Sequence, residues 1–148
     1  MKVLLQRVGQ AAVTVDSEQV GAIGPGLLLF LGVERGDGEE QLLWLVDKVL
    51  GLRIFPDAAT PMNLSVMDTG GDLLVVSQFT LAADTSRGKR PGFGGAAAPE
   101  LAEALYERFI EVLREKCGSG QRVCSGRFGS DMQVSLVNDG PVTFLLER

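Results

Sequence analysis

The order of the predicted secondary-structure elements constrains the fold most, because strands and helices do not alternate along this chain. Residues 27–33 form a continuous apolar run, which is typical of a strand buried on both faces. More strands are predicted on either side of it, and only two segments carry apolar residues at helical spacing. Regular alternation would indicate a doubly wound parallel sheet. We therefore predict an α+β fold, a curled, mostly antiparallel sheet with barrel-like layers and two helices packed on one side.

The chain of 148 residues is expected to form one domain over residues 1–148. Asp37 is expected to cap the first helix, with Glu40 as its capping-box partner, and Pro99 to occupy the first turn of the second. The turn residues 68–71 predict a hairpin. The strands are expected at residues 2–8, 11–15, 19–23, 27–33, 53–55, 62–67, 73–79, 132–137 and 142–146.

The absence of histidine restricts the chemistry that the chain can perform. It excludes Ser-His-Asp and Cys-His catalysis as well as imidazole metal sites. Cys117 and Cys124 are too few for a zinc site within one chain, and we expect them to be reduced thiols. We predict no metal and no cofactor. The general base of such an enzyme would be a carboxylate, a backbone group, a water network or part of the substrate.

The ends of the sequence and its charge bear on location and partners. The first residues do not have the pattern of a signal peptide, and no apolar run is long enough to cross a bilayer. We therefore expect a cytoplasmic protein that does not insert into membranes. A net charge of −5 argues against non-specific coating of nucleic acid, which requires Lys and Arg at phosphates, but allows one small basic patch.

A cluster of polar residues, Ser77, Gln78, Phe79 and Thr80, ends an apolar strand. Two hydroxyls and an amide meet where the chain leaves the sheet, and such a strand end can present N–H groups to a developing oxyanion. The alternative is an ordinary strand edge with polar residues.

A second segment, Asn138-Asp139-Gly140-Pro141, separates the last two predicted strands. Asn-Asp-Gly is typical of a plain β-turn, although Gly before Pro is poorly suited to a tight hairpin. Gly140 and Pro141 carry no reactive side chain, so a function of this pair would depend on shape and on its carbonyl groups.

A third segment, residues 85–93, is a basic, glycine-containing loop. Arg87, Lys89 and Arg90 place three cations within four residues without an acid, which suits contacts with phosphates; a solvated basic loop is the alternative. Phe93 could stack on a base or anchor the loop.

Three further charged residues, Asp131, Asp139 and Arg7, are weaker candidates for a function. Asp131 and Asp139 could act as bases, but turn or capping roles suit them better because nothing pairs them in the sequence. Arg7 lies in an otherwise apolar strand, so it either needs a partner in the interior or faces solvent at an edge.

Taken together, these segments resemble the D-aminoacyl-tRNA deacylase (D-tyrosyl-tRNA(Tyr) deacylase) family of bacterial and eukaryotic type, over nearly the whole chain. The pair of motifs about sixty residues apart is the specific part of the resemblance. The matching stretches are residues 5–8, 13–15, 32–34, 53–55, 62–64, 77–81, 90–91 and 132–143. Gly92 and Ser125 depart from the family pattern, where serine and threonine are expected, and residues 94–98 look more flexible than usual.

The resemblance implies a homodimer that acts on the aminoacylated end of tRNA, with active sites at the subunit interface. It implies that the Gly140-Pro141 bond is cis and that this pair enters the other subunit's pocket. It also implies that Ser77 to Thr80 form the pocket floor, with Thr80 beside the ester. Finally, it implies that the substrate's own hydroxyl assists hydrolysis. Asn138 is expected beside the substrate, Arg7 could hold the incoming Gly-Pro segment, and the basic loop would contact tRNA.

Chirality would then be a steric property. An L side chain would clash with the Gly140-Pro141 backbone, whereas a D side chain would point away, and glycyl-tRNA would also be accepted. The alternatives are an achiral relative that removes small L-amino acids, a non-catalytic dimeric RNA-binding module and a general esterase. The last lacks both histidine and a nucleophile elbow.

Overall fold

The computed structural model describes residues 1–148 and contains six strands, three α-helices and one 3-10 helix. The strands are β1 (Lys2–Val15), β2 (Glu18–Ile23), β3 (Gly26–Gly32), β4 (Asp72–Ser77), β5 (Val123–Ser125) and β6 (Gln133–Glu147). The helices are α1 (Glu39–Gly51), α2 (Val66–Thr69), α3 (Pro99–Lys116) and the 3-10 helix Phe79–Ala82. None of the helices is both long enough and apolar enough to cross a membrane.

The long strand β1 organises a single six-stranded sheet. Its first half pairs with β3 and its second half with β2, while β6 runs along its other edge, and all three pairings are antiparallel. The β3–β4 and β4–β5 pairs are parallel. The sheet also curls, since a Cβ added to Gly21 of β2 would lie 2.8 Å from the Ser125 carbonyl oxygen of β5. The predicted α+β class is confirmed, but one side of the sheet is parallel.

The predicted hairpin at residues 68–71 is wrong, and so is the strand at 62–67. The Ser65 hydroxyl accepts from the Asp68 N–H at 3.1 Å and caps the short helix α2. Helix α2 ends at Gly70, which has a φ of 66°. A capping residue here competes with the hairpin pattern. Its helical turn lets the chain enter β4 parallel to β3.

Strand β3 is buried on both faces, as its apolar run predicts. Leu27, Leu29 and Leu31 belong to a cluster of 24 buried residues, which also includes the apolar residues of α1 and α3 that pack on the sheet. Leu28 belongs to a second cluster of 7 buried residues on the opposite face. Helices α1 and α3 contact each other, in agreement with the expected pair, while α2 adds a third, short helix.

The start of α3 at Pro99 is confirmed, but the predicted cap of α1 is wrong. Gly38 is the N-cap, and its N–H donates to the Gln41 side chain at 3.0 Å. The Asp37 carboxylate instead accepts from the Glu34 N–H at 2.6 Å and from the Met1 amino group at 2.7 Å. Asp37 therefore closes the loop before the helix.

Other boundaries differ because long strands were divided at local breaks. The predicted strands at 2–8 and 11–15 are one strand, β1, and those at 132–137 and 142–146 are one strand, β6. Residues 53–55 contribute only an isolated bridge between Phe55 and Leu64. The short strand β5 has no counterpart among the predicted strands.

Candidate active site

The chain leaves the sheet sharply at the end of β4. The Gln78 N–H still donates to the Leu31 carbonyl oxygen of β3 at 2.7 Å, and the Gln78 carbonyl oxygen then accepts from the Leu81 N–H at 3.2 Å. The 3-10 helix Phe79–Ala82 begins at this point. The strand predicted to continue through Phe79 therefore ends at Ser77.

This turn leaves two backbone amides without an acceptor inside the 3-10 helix, those of Phe79 and Thr80, because the first N–H groups of a helix have no intrahelical partner. The Thr80 hydroxyl accepts a hydrogen bond from the Gln78 side-chain amide at 2.5 Å. A pair of adjacent amides at a strand end is a suitable donor set for an oxyanion.

A largely apolar cavity of about 510 Å³ opens beside this strand end. Its volume lies within the range of small-molecule sites. Ser77, Gln78 and Phe79 line it, whereas Thr80 is not among the lining residues. The remaining walls come from Leu31, Val33, Val76, Ala96, Ala97, Pro99, Ala102, Tyr106, Phe128, Gly129, Ser130, Met132 and Val134.

Tyr106 of α3 is the one ionisable side chain in the cavity wall. Its hydroxyl lies 3.0 and 3.2 Å from the carbonyl oxygens of Val75 and Gly126, which share its one proton, and its ring lies 5.8 Å from the Phe128 ring. Burial raises the pKa of Tyr106 to about 12, so it stays protonated at neutral pH. No sequence pattern singles out this residue, because it falls within the ordinary apolar stripe of a helix.

Residues 139–142 of β6 bulge out of the sheet. Gln6 pairs with Thr143 and Val8 with Asn138, so these residues lie opposite Arg7 alone. The bulge contains Gly140-Pro141, and its peptide bond is cis, in agreement with what the family resemblance implies.

The Asn138 side chain holds the base of this bulge. Its Oδ1 accepts from the Val142 N–H at 2.9 Å, and its Nδ2 donates to the Val142 carbonyl oxygen at 3.2 Å and to the Thr143 hydroxyl at 3.4 Å. The Gln6 side chain donates to the same hydroxyl at 3.0 Å. Within one chain, Asn138 therefore positions the backbone around Gly140-Pro141, while its predicted contact with substrate stays a prediction.

Arg7 lies behind the bulge and is only 9% exposed. Its Nε donates to the Asp139 carbonyl oxygen at 2.9 Å and lies 3.0 Å from the Asp139 carboxylate. Its Nη1 donates to the Ile54 carbonyl oxygen at 2.6 Å. Arg7 therefore does not face solvent at an edge. Within one chain it contacts Asp139, the residue before Gly140-Pro141, and its predicted contact with the incoming Gly-Pro segment of a second chain stays a prediction.

The basic loop is closed by a pair of backbone hydrogen bonds between Asp84 and Gly92, at 2.7 and 2.9 Å. Hydrogen bonds from Ser86 hold the pKa of the Asp84 carboxyl below its usual value. Arg87, Lys89 and Arg90 are exposed, and none of them forms an ion pair.

Phe93 connects this loop to the cavity. Its ring centroid lies 5.0 Å from that of Phe79, with the two planes tilted by 47°. The loop therefore ends beside the strand end at the cavity rim. Gly140 and Pro141 are not among the residues that line the cavity of the same chain, so one chain holds the two motifs apart.

The two discounted carboxylates, Asp131 and Asp139, do not line the cavity either. No group of three or more Cys, Asp or Glu side chains is arranged so that it could hold a metal ion. The polar chemistry that this cavity offers comes from backbone amides, from the Gln78 amide and from the hydroxyls of Ser77, Tyr106 and Ser130.

The comparisons with known proteins agree with this geometry. Residues 4–147 match the family described as D-Tyr-tRNA(Tyr) deacylase. The chain is 60% identical over 146 residues to a D-aminoacyl-tRNA deacylase of Stenotrophomonas maltophilia (strain K279a), and 58% identical over 147 residues to one of Enterobacter sp. (strain 638), with 99% of each chain covered. A solved structure titled c-Myc DNA Unwinding Element Binding Protein is 42% identical, with a TM-score of 0.94 over 100% of this chain and 99% of that one. The chain thus belongs to the D-Tyr-tRNA(Tyr) deacylase family.

Proposed function

We propose that this protein hydrolyses the ester bond between a D-amino acid and the terminal adenosine of tRNA, releasing the free D-amino acid and intact tRNA. The observation that carries the proposal is the apolar cavity at the end of β4, lined by Ser77, Gln78 and Phe79. The names of the bacterial relatives, at 58% and 60% identity, support the same activity. Removal of D-amino acids from tRNA would protect translation, and we expect it in the cytoplasm.

The reaction proceeds by attack of water on the ester carbonyl. The N–H groups of Phe79 and Thr80 donate to the developing oxyanion, a contribution that is often the largest in acyl transfer. The free hydroxyl beside the ester on the terminal ribose orients the water, and the ribose oxygen leaves with a proton. No histidine is needed, which suits a chain that contains none. Thr80 acts beside the ester without becoming acylated, and Gln78 holds its hydroxyl at 2.5 Å.

The working enzyme is a homodimer in which each cavity is completed by the other chain. Strand β6 supports this assembly, because it pairs only with β1 and leaves its outer edge free over 15 residues. Val137, Phe144 and Leu145 are exposed on it. A long apolar edge in a soluble chain invites pairing with another strand. The Gly140-Pro141 bulge of one chain then enters the cavity of its partner.

In this arrangement, chirality is selected by exclusion. The carbonyl groups of Gly140 and Pro141 face the α-carbon and its amino group, so that an L side chain would collide with the backbone and a D side chain would point into open space. Specificity by clash requires a rigid obstacle. Asn138 and Arg7, which hold the bulge at both of its sides, provide this rigidity. Glycine has no side chain to exclude, so glycyl-tRNA is also hydrolysed.

The acceptor end of tRNA lies along the basic loop. Arg87, Lys89 and Arg90 are exposed and free of ion pairs, and phosphate contacts of this type position nucleic acid without reading its sequence. A local patch is sufficient because only the end of the tRNA has to be held, which reconciles binding with the net charge of −5.

The test is hydrolysis of matched D-tyrosyl-, L-tyrosyl- and glycyl-tRNA by the purified protein, with and without chelator. We expect rapid loss of the D and glycyl esters, persistence of the L ester, and no effect of chelator. Equal turnover of the D and L esters would indicate an achiral relative. Binding of tRNA without turnover at low enzyme concentration would indicate an RNA-binding module.

A further inference from the structure

Two exposed aromatic rings lie at the mouth of the cavity, where the proposed chemistry does not use them. Phe79, the first residue of the 3-10 helix after β4, is 61% exposed, and Phe93 is 39% exposed. Their centroids are 5.0 Å apart. Packing on each other covers only part of each ring, so the pair presents an apolar surface to solvent.

Three free cations accompany this aromatic pair. The loop that ends at Phe93 carries Arg87, Lys89 and Arg90, all exposed and none in an ion pair. The Asp84–Gly92 hydrogen bonds close the loop immediately before Phe93, so the cations and the rings belong to one structural unit. Exposed aromatics combined with unpaired cations are typical of surfaces that bind single-stranded nucleic acid, in which bases stack on the rings and phosphates contact the cations.

The charge and the position of this unit indicate which ligand it binds. The chain has a net charge of −5, so a local group of free cations beside the cavity favours an anionic ligand there. If the terminal adenosine carries its ester to the amides of Phe79 and Thr80, the preceding nucleotide emerges at the rim. Phe79 lines the cavity there, and the Phe93 ring packs against it.

We propose that the Phe79–Phe93 pair is a stacking platform for the unpaired base that precedes the terminal adenosine of tRNA, with the basic loop on its phosphates. This inference rests on the proposed function, because it assumes that the terminal adenosine enters the cavity. The platform is sequence-tolerant, since every base offers a face for stacking. It lets one enzyme act on tRNAs that share only an unpaired end.

The kinetic test compares two substrates, D-tyrosyl-tRNA and the D-tyrosyl ester of adenosine alone, for the wild type, Phe93→Leu and Phe93→Tyr. Leucine keeps an apolar side chain and removes the aromatic face, whereas tyrosine retains that face. We expect Phe93→Leu to raise KM for the tRNA about tenfold, with kcat unchanged, and to leave the adenosine ester unaffected. Phe93→Tyr should behave as the wild type, and both variants should show the wild-type unfolding transition.

A binding test separates this inference from the proposed function. The probe is uncharged tRNA with a fluorescent cytosine analogue before the terminal adenosine. The wild type and Phe93→Tyr should quench the fluorescence of this analogue, whereas Phe93→Leu should not. If the wild type quenches the probe without hydrolysing either ester, the platform stands and the proposed function fails. Equal effects of Phe93→Leu on both esters, or equal quenching by all three proteins, would overturn the platform.

Discussion

Replacement of Gly140 by alanine tests how the bulge in β6 is built. A Cβ at this position would lie 2.2 Å from the Val142 backbone nitrogen and 2.7 Å from its Cγ2. Both atoms belong to the same chain, and Val142 is buried in the main core cluster. The first obstacle to a larger residue is therefore inside the bulge rather than in a substrate pocket.

The magnitude follows from these distances. Ordinary contact begins at 3.4 Å, so the added atom must separate from the Val142 nitrogen by a further 1.2 Å (3.4 minus 2.2). Such a shift breaks the 2.9 Å hydrogen bond from the Val142 N–H to Asn138, at a cost of about 1 kcal/mol in stability. Displacement of a positioning group by about 1 Å can reduce catalysis about 100-fold. We therefore expect kcat/KM for D-tyrosyl-tRNA to fall about 100-fold.

The assay is single-turnover deacylation of D- and L-tyrosyl-tRNA, together with gel filtration, in which the variant should elute as the wild type does if the proposed dimer is intact. Gly9→Ala is the matched control, because Gly9 lies in β1 near the bulge and a Cβ there would meet nothing within 4 Å. Gly140→Ala should also lose selectivity, so that the ratio of its D-tyrosyl to L-tyrosyl hydrolysis rates is smaller than that of the wild type. Wild-type rates for Gly140→Ala, or an equal loss in Gly9→Ala, would refute the steric reasoning.

Three further substitutions test other parts of the site. Thr80→Ala should reduce kcat by much less than loss of a nucleophile would, because backbone amides and the substrate hydroxyl do most of the work, and mass spectrometry should detect no acyl-Thr80 species. Arg7→Met should lower the free energy of unfolding in urea by about 1–3 kcal/mol, because the Ile54 carbonyl oxygen loses its buried donor; an unchanged midpoint would contradict this. The pKa of Tyr106 is raised from 10.0 to about 12 in the folded protein. Its contribution to the free energy of unfolding is therefore complete below pH 10 and is lost as the pH rises towards 12. The loss between pH 10 and pH 11 is about 1 kcal/mol. Tyr106→Phe should remove this alkaline loss in urea unfolding at pH 9 and pH 11.

Local patterns were reliable where one signal dominated. The apolar run at residues 27–33 predicted a strand buried on both faces, and Leu28 and Leu29 do lie in clusters on opposite faces of β3. Pro99 correctly marked the start of α3. The hairpin at residues 68–71 was wrong because two signals overlapped, and Ser65 formed a helix cap that a turn pattern does not reveal.

The candidate site likewise combines residues that could be predicted from the sequence with residues that only the structure identifies. Ser77, Gln78 and Phe79 could be selected from the sequence because they are contiguous and end an apolar strand, and they do line a cavity. Tyr106 and Phe128 complete the wall from distant segments, and no spacing connects them with the strand end. The contact between Arg7 and Asp139 joins residues 132 positions apart, and the sequence suggested only that a buried Arg7 needs a partner.

The sequence by itself determined which kinds of catalytic group the chain can supply, the α+β class and the family, because residue types, periodicity and contiguous motifs are local properties. Only the tertiary structure decided that β4 lies parallel to β3, that residues 139–142 leave the sheet opposite Arg7, and that two phenylalanines meet beside the basic loop. An alternating strand pattern is the same for parallel and antiparallel neighbours. The choice between them depends on the connection: the chain between β3 and β4 contains α1, which packs on one face of the sheet, and such a crossover returns the next strand parallel to the first.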